Sequence, residues 1–381
     1  MKKNKKKRHL KYSVKNTILI ILLLIIFFTI GFLLSRRQIK DETVVFNSDK
    51  ANKLVYTEPV YQRFISFRAL DEGYDIYKPK GSGYRYGPSM IRNDDGSVDL
   101  WAVSPGNNST MWDYIVYRHL DNNGNWSKEK TVLKPTANSD DCYSTCDPGV
   151  IYFNGYYYLG YTSTSDKSAK TNQLFVARSA NPAGPYEKWN GEGWGGKPKP
   201  VIPYEENDGG WGAGEPSFVI KDDTLYIYYS YNTINGSYTC VATADTSDNW
   251  PATIKSNHQI VFVKDKGQDS FDVVYIDEID SFLAVAPAFR MTDSSGIITY
   301  QSDDGFDFHE CDTVKYNLTP CLHNIGISKN PNGHVSIDND LCLSYAYAYS
   351  ANSKWGVWPL HFQTIRLTSW EEAVYPEQES Q

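Results

Sequence analysis

Acidic residues recur in this sequence where strand sequence begins. Asp147 precedes Pro148-Gly149-Val150-Ile151, Glu215 precedes Pro216-Ser217-Phe218-Val219, and Asp272 precedes Val273-Val274-Tyr275. His323 opens a further run, His323-Asn324-Ile325-Gly326-Ile327, and in front of Pro88-Ser89-Met90-Ile91 the same place is held by Gly87. Carboxyl groups brought together raise one another's pKa and cost folding free energy, so a converging set serves chemistry better than stability. One carboxyl kept protonated beside another kept ionised is what general acid–base catalysis needs. Cleavage of a glycosidic bond uses such a pair directly. The competing reading is that Asp147 and Glu215 cap strand entries by accepting backbone N–H bonds.

For these residues to meet, the elements that carry them must be arranged radially. Pro88, Pro148 and Pro216 are 60 and 68 residues apart, and each opens a strand, a turn and a returning strand rich in Tyr and Trp. A repeat of this length filled with strand sequence indicates blades or coils before any other architecture. With 29 Tyr, 16 Phe and 10 Trp, the composition suits pleated, half-buried surfaces. The expected fold is all-β, a five-bladed propeller. Its blades start near Arg85, Asp147, Glu215, Asp269 and His323, and the last strand is Phe362–Leu367. The first strand of each blade lines the central channel, which would bring Asp147, Glu215 and Asp272 together. Radial closure leaves few exposed strand edges and suits a monomer. Between blades two and three a Gly-rich run from Trp189 to Gly214 lacks strand alternation, and loops this long are usually functional or disordered. Its Trp194 and Trp211 offer indole faces on which a sugar ring could stack; otherwise they cap hydrophobic edges.

The N-terminus reads as a separate object. Thr17 to Leu34 is an uncharged run of 18 residues, long enough to cross a bilayer. Eight positive residues precede it and Arg36, Arg37 and Lys40 follow, so the charge bias keeps the tail cytoplasmic and the rest outside. The expected organisation is a basic tail (1–16), a transmembrane anchor (17–34), a stalk and propeller lead-in (35–80), the propeller (81–370) and a C-terminal tail (371–381). The location is thus the cell membrane, single-pass. Residues 1–40 hold eight Lys, three Arg and no acid, leaving −18 on the remainder against a total of −7. Such a balance argues against nucleic acid as a partner and leaves glycans as the easier class. All six cysteines follow the anchor, where disulfides can persist. Cys142 with Cys146 and Cys311 with Cys321 are the near pairs, and free thiols are the alternative.

The runs Asp147-Pro148-Gly149-Val150-Ile151 with Tyr156-Tyr157-Tyr158, and Gly214-Glu215-Pro216-Ser217, resemble the five-bladed propeller glycosidases of glycoside hydrolase family 43 and its relatives. The resemblance spans about residues 84–367. It implies Glu215 as general acid and Asp147 as the residue that tunes that acid and orients substrate. It also implies His323 as a channel histidine, beside which a calcium ion could bind, although no cofactor is required. The chain departs from the family at Gly87, where the resemblance would place the general base. Asp272, Asp113 and Asp141 are substitutes, with Asp272 preferred for its position at a blade start; Asp147 itself could also change role. Arg85 is expected either to contact an acidic sugar or to neutralise Asp147, and Asp113 to touch substrate. His119, His258, His309, His334 and His361 share no spacing and read as structural. The expected function is a membrane-anchored, outward-facing glycoside hydrolase acting on an oligosaccharide or polysaccharide. The alternative is a propeller that binds a glycan without cleaving it, because its base has been lost.

Overall fold

A computed structural model of the chain describes residues 59–374, apart from 82, 108–109 and 207–208. The expected tail, anchor and first part of the stalk lie outside the described residues. No helix among the described residues is long and apolar enough to cross a membrane.

Each repeat folds around a four-stranded antiparallel sheet, to which blade four adds a short parallel strand, His334–Val335. The inner strands are Tyr86–Arg92, Cys146–Phe153, Gly212–Lys221, Asp272–Ile276 and Leu322–Lys329, one per blade. Local sequence sets the hairpins that follow them. Asn154 and Gly155 (φ +50° and +78°) and Asp222 and Asp223 (φ +48° and +60°) adopt the paired left-handed conformations of a two-residue turn. That turn's twist matches the twist of the strands it joins. Beyond it, Tyr156–Ser163 and Thr224–Thr233 run back along their partners, in unbroken register from Phe153↔Tyr156 to Gly149↔Gly160 and from Lys221↔Thr224 to Ser217↔Tyr228.

The ring is closed by residues the sequence had placed in the stalk. Val60–Ala69 forms the outermost strand of blade five and pairs with the last strand of the chain, Leu360–Val374, without a break from Val60↔Val374 to Ala69↔Ile365. Tyr74–Tyr77 adds to the same strand. The propeller therefore takes in Val60–Ala69 and Tyr74–Tyr77 from the expected stalk and lead-in and extends past residue 370. Blade five also joins blade one, through parallel pairing of Ser328 with Met90 and Lys329 with Ile91.

The apolar core is divided among the blade interfaces. Trp101, Val150 and Tyr161 fill the first–second interface, Phe153, Tyr158, Phe218 and Trp250 the second–third, and Tyr228, Phe282 and Tyr300 the third–fourth. Val274, Leu283, Ile325 and Ile65 fill the fourth–fifth, and Met90, Leu100 and Phe362 the fifth–first. Near the axis adjacent blades meet backbone to backbone. A Cβ on Gly149 would lie 2.1 Å from the Pro216 carbonyl oxygen, and one on Gly326 2.0 Å from that of Pro88. These two glycines are dictated by that approach. All six cysteines are free thiols, so neither near pair is bridged; blade interfaces and ring closure hold the fold instead.

Because Ile65 is fully buried and Tyr61 is 70% exposed on the same strand, the closing strand can be tested directly. Ile65→Ala should cost about 3 kcal/mol, the usual range for a buried Ile cut to Ala, and Tyr61→Ala less than about 0.5 kcal/mol. Denaturant unfolding measures both; equal effects would mean that the strand is not part of the core.

Candidate active site

The blade starts share a backbone device. In blades one, two and three the strand register slips between Tyr86 and Ser89, Cys146 and Gly149, and Gly214 and Ser217. The residue inside each slip has positive φ: Gly87 +57°, Asp147 +49° and Glu215 +54°. A bulge re-aims a side chain at the end of a strand, and here it turns Asp147 and Glu215 into one cavity. A non-glycine residue held there is strained by about 1–2 kcal/mol, strain of the kind that collects at functional sites. Gly87 carries the same backbone without a carboxylate.

The cavity has a volume of about 900 Å³. Its acids are Asp113, Asp147, Glu215 and Asp269, and its basic residues are Lys264, Arg290 and His323. Aromatic wall is supplied by Tyr84, Tyr86, Trp112, Trp211, Trp355 and Trp358. The Glu215 side chain keeps 11% of its exposure. Its Oε2 accepts a hydrogen bond from the Ser230 hydroxyl and lies 3.5 Å from Lys264 Nζ, while its backbone N–H donates to Thr162 Oγ1 at 2.8 Å. Burial, and then the negative charge of Asp269, push the Glu215 carboxyl up to about 7, against the pull of Lys264. Burial and the charge of Glu215 also drive Asp147 well above the carboxylate range. Asp269 goes the other way. Burial works to raise it but is outweighed by the Arg290 guanidinium (2.5 Å) and by His323, which hold it well below the usual range. The site thus holds a carboxyl that keeps its proton near neutrality beside a carboxylate that stays ionised.

Several expected site residues stand elsewhere. Asp272 is outside this cavity, facing a narrow axial space of about 20 Å³. It accepts hydrogen bonds from Ser217 Oγ (2.7 Å) and the Ile327 N–H (2.9 Å), and pairs with Lys329, itself 2% exposed, at 2.8 Å. The inter-blade bonds explain the misplacement. The Val150 N–H donates to Ser89 Oγ and the Val273 N–H to Ser217 Oγ, both at 3.0 Å, as Ile327 does to Asp272. Asp272 therefore occupies the serine position, two residues past the blade start; the counterpart of Asp147 is Ser270. Two residues along a strand keep the side chain on the same face but move it about 7 Å. Asp141 is fully buried, ion-paired with Lys188 and hydrogen-bonded by the Tyr161 hydroxyl. Arg85 makes two bonds to Glu129, at 2.6 and 2.7 Å, and stacks over Tyr77, so it neither reaches the cavity nor neutralises Asp147. Trp194 packs against Trp189, Tyr158 and the Arg178 guanidinium, an edge-capping role.

Asp113, Trp211 and His323 do line the cavity. Asp113 accepts from the Tyr84 hydroxyl (2.5 Å) and Ser144 Oγ (2.9 Å), and burial raises its pKa. His323 lies between Tyr86 and Trp358, with ring centroids 5.6 and 4.4 Å away, and burial lowers its pKa. Its Nδ1 is 2.9 Å from Asp269 Oδ2 but out of line for a hydrogen bond. These surroundings do not fit a calcium ion. Calcium takes six to eight oxygen ligands, whereas His323 is enclosed by rings and a guanidinium, and among the described residues no three His, Cys, Asp or Glu side chains converge as ligands. The residues missed from the sequence are Asp269, Arg290 and Lys264. Asp269 was within the run assigned to blade four, but that run lacks the proline that marks the other acids.

Solved structures of similar fold carry glycosidase names. They include Zg3597, a family 117 glycoside hydrolase of the marine bacterium Zobellia galactanivorans (TM-score 0.55, 14% identity, 80% of this chain and 90% of that one). The catalytic domain of the Coprinopsis cinerea GH62 alpha-L-arabinofuranosidase is also similar (0.52, 14%, 78% and 98%), as is a thermostable family-43 glycoside hydrolase (0.53, 14%, 80% and 98%). No protein-family model and no curated protein sequence matches the chain. At these identities the likeness is one of fold, and it is to the propeller architecture that the blade-start motifs had suggested.

Two outcomes are expected from the site's physics. A carboxyl raised to about 7 when folded gives stability that is complete below the unfolded value near 4.5 and lost as pH rises through 7, a loss of about 3 kcal/mol. Glu215→Gln should remove that loss, so its thermal midpoint should exceed the wild type's at pH 8 and match it near pH 4.5; the reverse order would refute the raised pKa. Trp211→Ala should raise KM several-fold, while Trp194→Ala should lower thermal stability and leave KM unchanged. A KM rise in the second variant alone would exchange their roles.

Proposed function

We propose that the chain is a glycoside hydrolase in which Glu215 protonates the leaving glycosidic oxygen. The observation that carries this reading is a largely buried glutamic acid, raised to about 7, in a cavity shared with an ionised aspartate. The sugar seats against aromatic wall at Trp211 and Trp355, whose C–H-facing rings favour carbohydrate over charged polymers. Asp147, raised by burial and then by the charge of Glu215, lies beside the acid and orients the sugar. The catalytic partner of Glu215 must be an ionised carboxylate within the same cavity, because hydrolysis needs the pair. Similar folds among alpha-L-arabinofuranosidases make arabinofuranosides the first substrates to try. The basic residues 1–16 and the uncharged run 17–34 support an outward-facing domain tethered to the membrane.

Glu215→Gln should lower turnover of alkyl and sugar glycosides by about 10³-fold, within the range for loss of general acid catalysis. Aryl glycosides with good leaving groups should lose much less, since they need little protonation. The wild-type rate should fall as pH rises through about 7, and the variant should lack that limb. Unchanged turnover in the variant would reject the assignment.

A further inference from the structure

The resemblance leaves the second carboxylate without a residue, because Gly87 has no side chain. A Cβ on Gly87 would sit 3.3 Å from the Asp147 Cα and 3.5 Å from its Oδ1, so a carboxylate carried there would crowd Asp147. The other candidate acids can be sorted by what holds them. Asp272 is spent on Lys329 and Asp141 on Lys188, and neither lines the cavity. Both oxygens of Asp113 accept hydroxyl hydrogen bonds. Asp147 is kept well above the carboxylate range by burial and by the charge of Glu215. Asp269 differs from all of these. Arg290 Nη1 at 2.5 Å, Asn324 Nδ2 at 2.8 Å and His323 Nδ1 at 2.9 Å all crowd onto its Oδ2. Among the described residues no donor engages Oδ1, although the residue lines the cavity. A carboxylate clamped through one oxygen, with the other left to the cavity, is arranged to take a proton from water.

We infer that Asp269, on the lead-in to blade four, is the general base of this site and replaces the carboxylate missing at Gly87; the inference rests on the hydrolase reading. In the step it assigns, Asp269 Oδ1 removes a proton from a water molecule while that water's oxygen bonds to the anomeric carbon. The bond from that carbon to the glycosidic oxygen breaks, and Glu215 gives its proton to the departing oxygen. Asp269 ends protonated and Glu215 ionised, and solvent returns both to the starting state. Attack by water on the face opposite the leaving group inverts the anomeric centre. Arg290, His323 and Asn324 are positioning residues, which hold Asp269 ionised and aimed.

The test uses the whole chain and an aryl arabinofuranoside, or whichever aryl glycoside the wild type cleaves. Asp269→Ala should lose about 10³-fold or more in turnover, in the range for removal of a general base. Azide should restore part of it by giving a glycosyl azide of inverted configuration, since only a group beside the anomeric carbon leaves room for that reaction. The isosteric Asp269→Asn, which keeps the clamp's shape should the alanine variant fold poorly, should lose at least about 10²-fold in turnover with little change in KM. NMR of the wild-type product should show the inverted anomer first. Turnover of Asp269→Asn within tenfold of wild type, a retained anomer, or azide rescue of Asp113→Ala or Asp147→Ala instead would overturn the assignment while leaving Glu215 as acid. Loss of activity in none of the variants, Glu215→Gln included, would overturn the hydrolase reading with it.

Discussion

Ten residues of antiparallel pairing between Val60–Ala69 and the last strand hold the ring shut, and the chemistry depends on that closure. A propeller whose ends are not joined leaves its first and last blades without the packing that holds the inner strands, and the acids they carry, around one cavity. With the ring closed, each blade is wedged between two others by aromatic and aliphatic side chains. Inner strands then approach closely enough that Gly149 and Gly326 tolerate no side chain. That rigidity lets Asp147 and Glu215 be held in a strained backbone conformation, each ready to pay its cost to the rest of the fold only because the packing over-determines it.

The arrangement of charge follows from uneven neutralisation. Among the described residues Asp269 receives Arg290, His323 and an amide, Glu215 receives Lys264 at 3.5 Å and a hydroxyl, and Asp147 receives no cation at hydrogen-bonding distance. The resulting order, Asp269 ionised and the other two raised, is the separation of roles that an acid–base pair requires. Two further acids are each matched with one buried lysine: Asp272 ties its strand to those of Ser217 and Ile327, and Asp141 ties the connection into blade two to Tyr161 and Lys188.

Much of the architecture was legible in the chain because each blade repeats a local pattern of proline, alternating apolar residues and turn formers. Where the proline marker is present, at Asp147 and Glu215, the site assignment from sequence and the cavity agree. Where it is absent, in blade four, the acid nearest the apolar run was chosen, and the register was off by two residues. Arg85 and Trp194 misled for a related reason: an Arg beside a motif and a Trp in a Gly-rich loop have the right types for a sugar site, but Glu129 and Arg178 claim them locally. The closing strand was read only as part of the stalk and lead-in, because Val60–Ala69 has no motif of its own and gains its role from pairing with the last strand of the chain.

The sequence by itself determined the strand repeats, the hairpin turns and the acidic residues that open blades two and three, since these rest on periodicities and turn conformations spanning only a few residues. The tertiary structure decided which acids share a cavity, which are neutralised and which oxygen is left open. Those outcomes depend on contacts between blades such as Asp269 with Arg290 and His323 or Asp272 with Lys329, and a carboxyl group's protonation is set by the charges and burial around it in space, not by its neighbours along the chain.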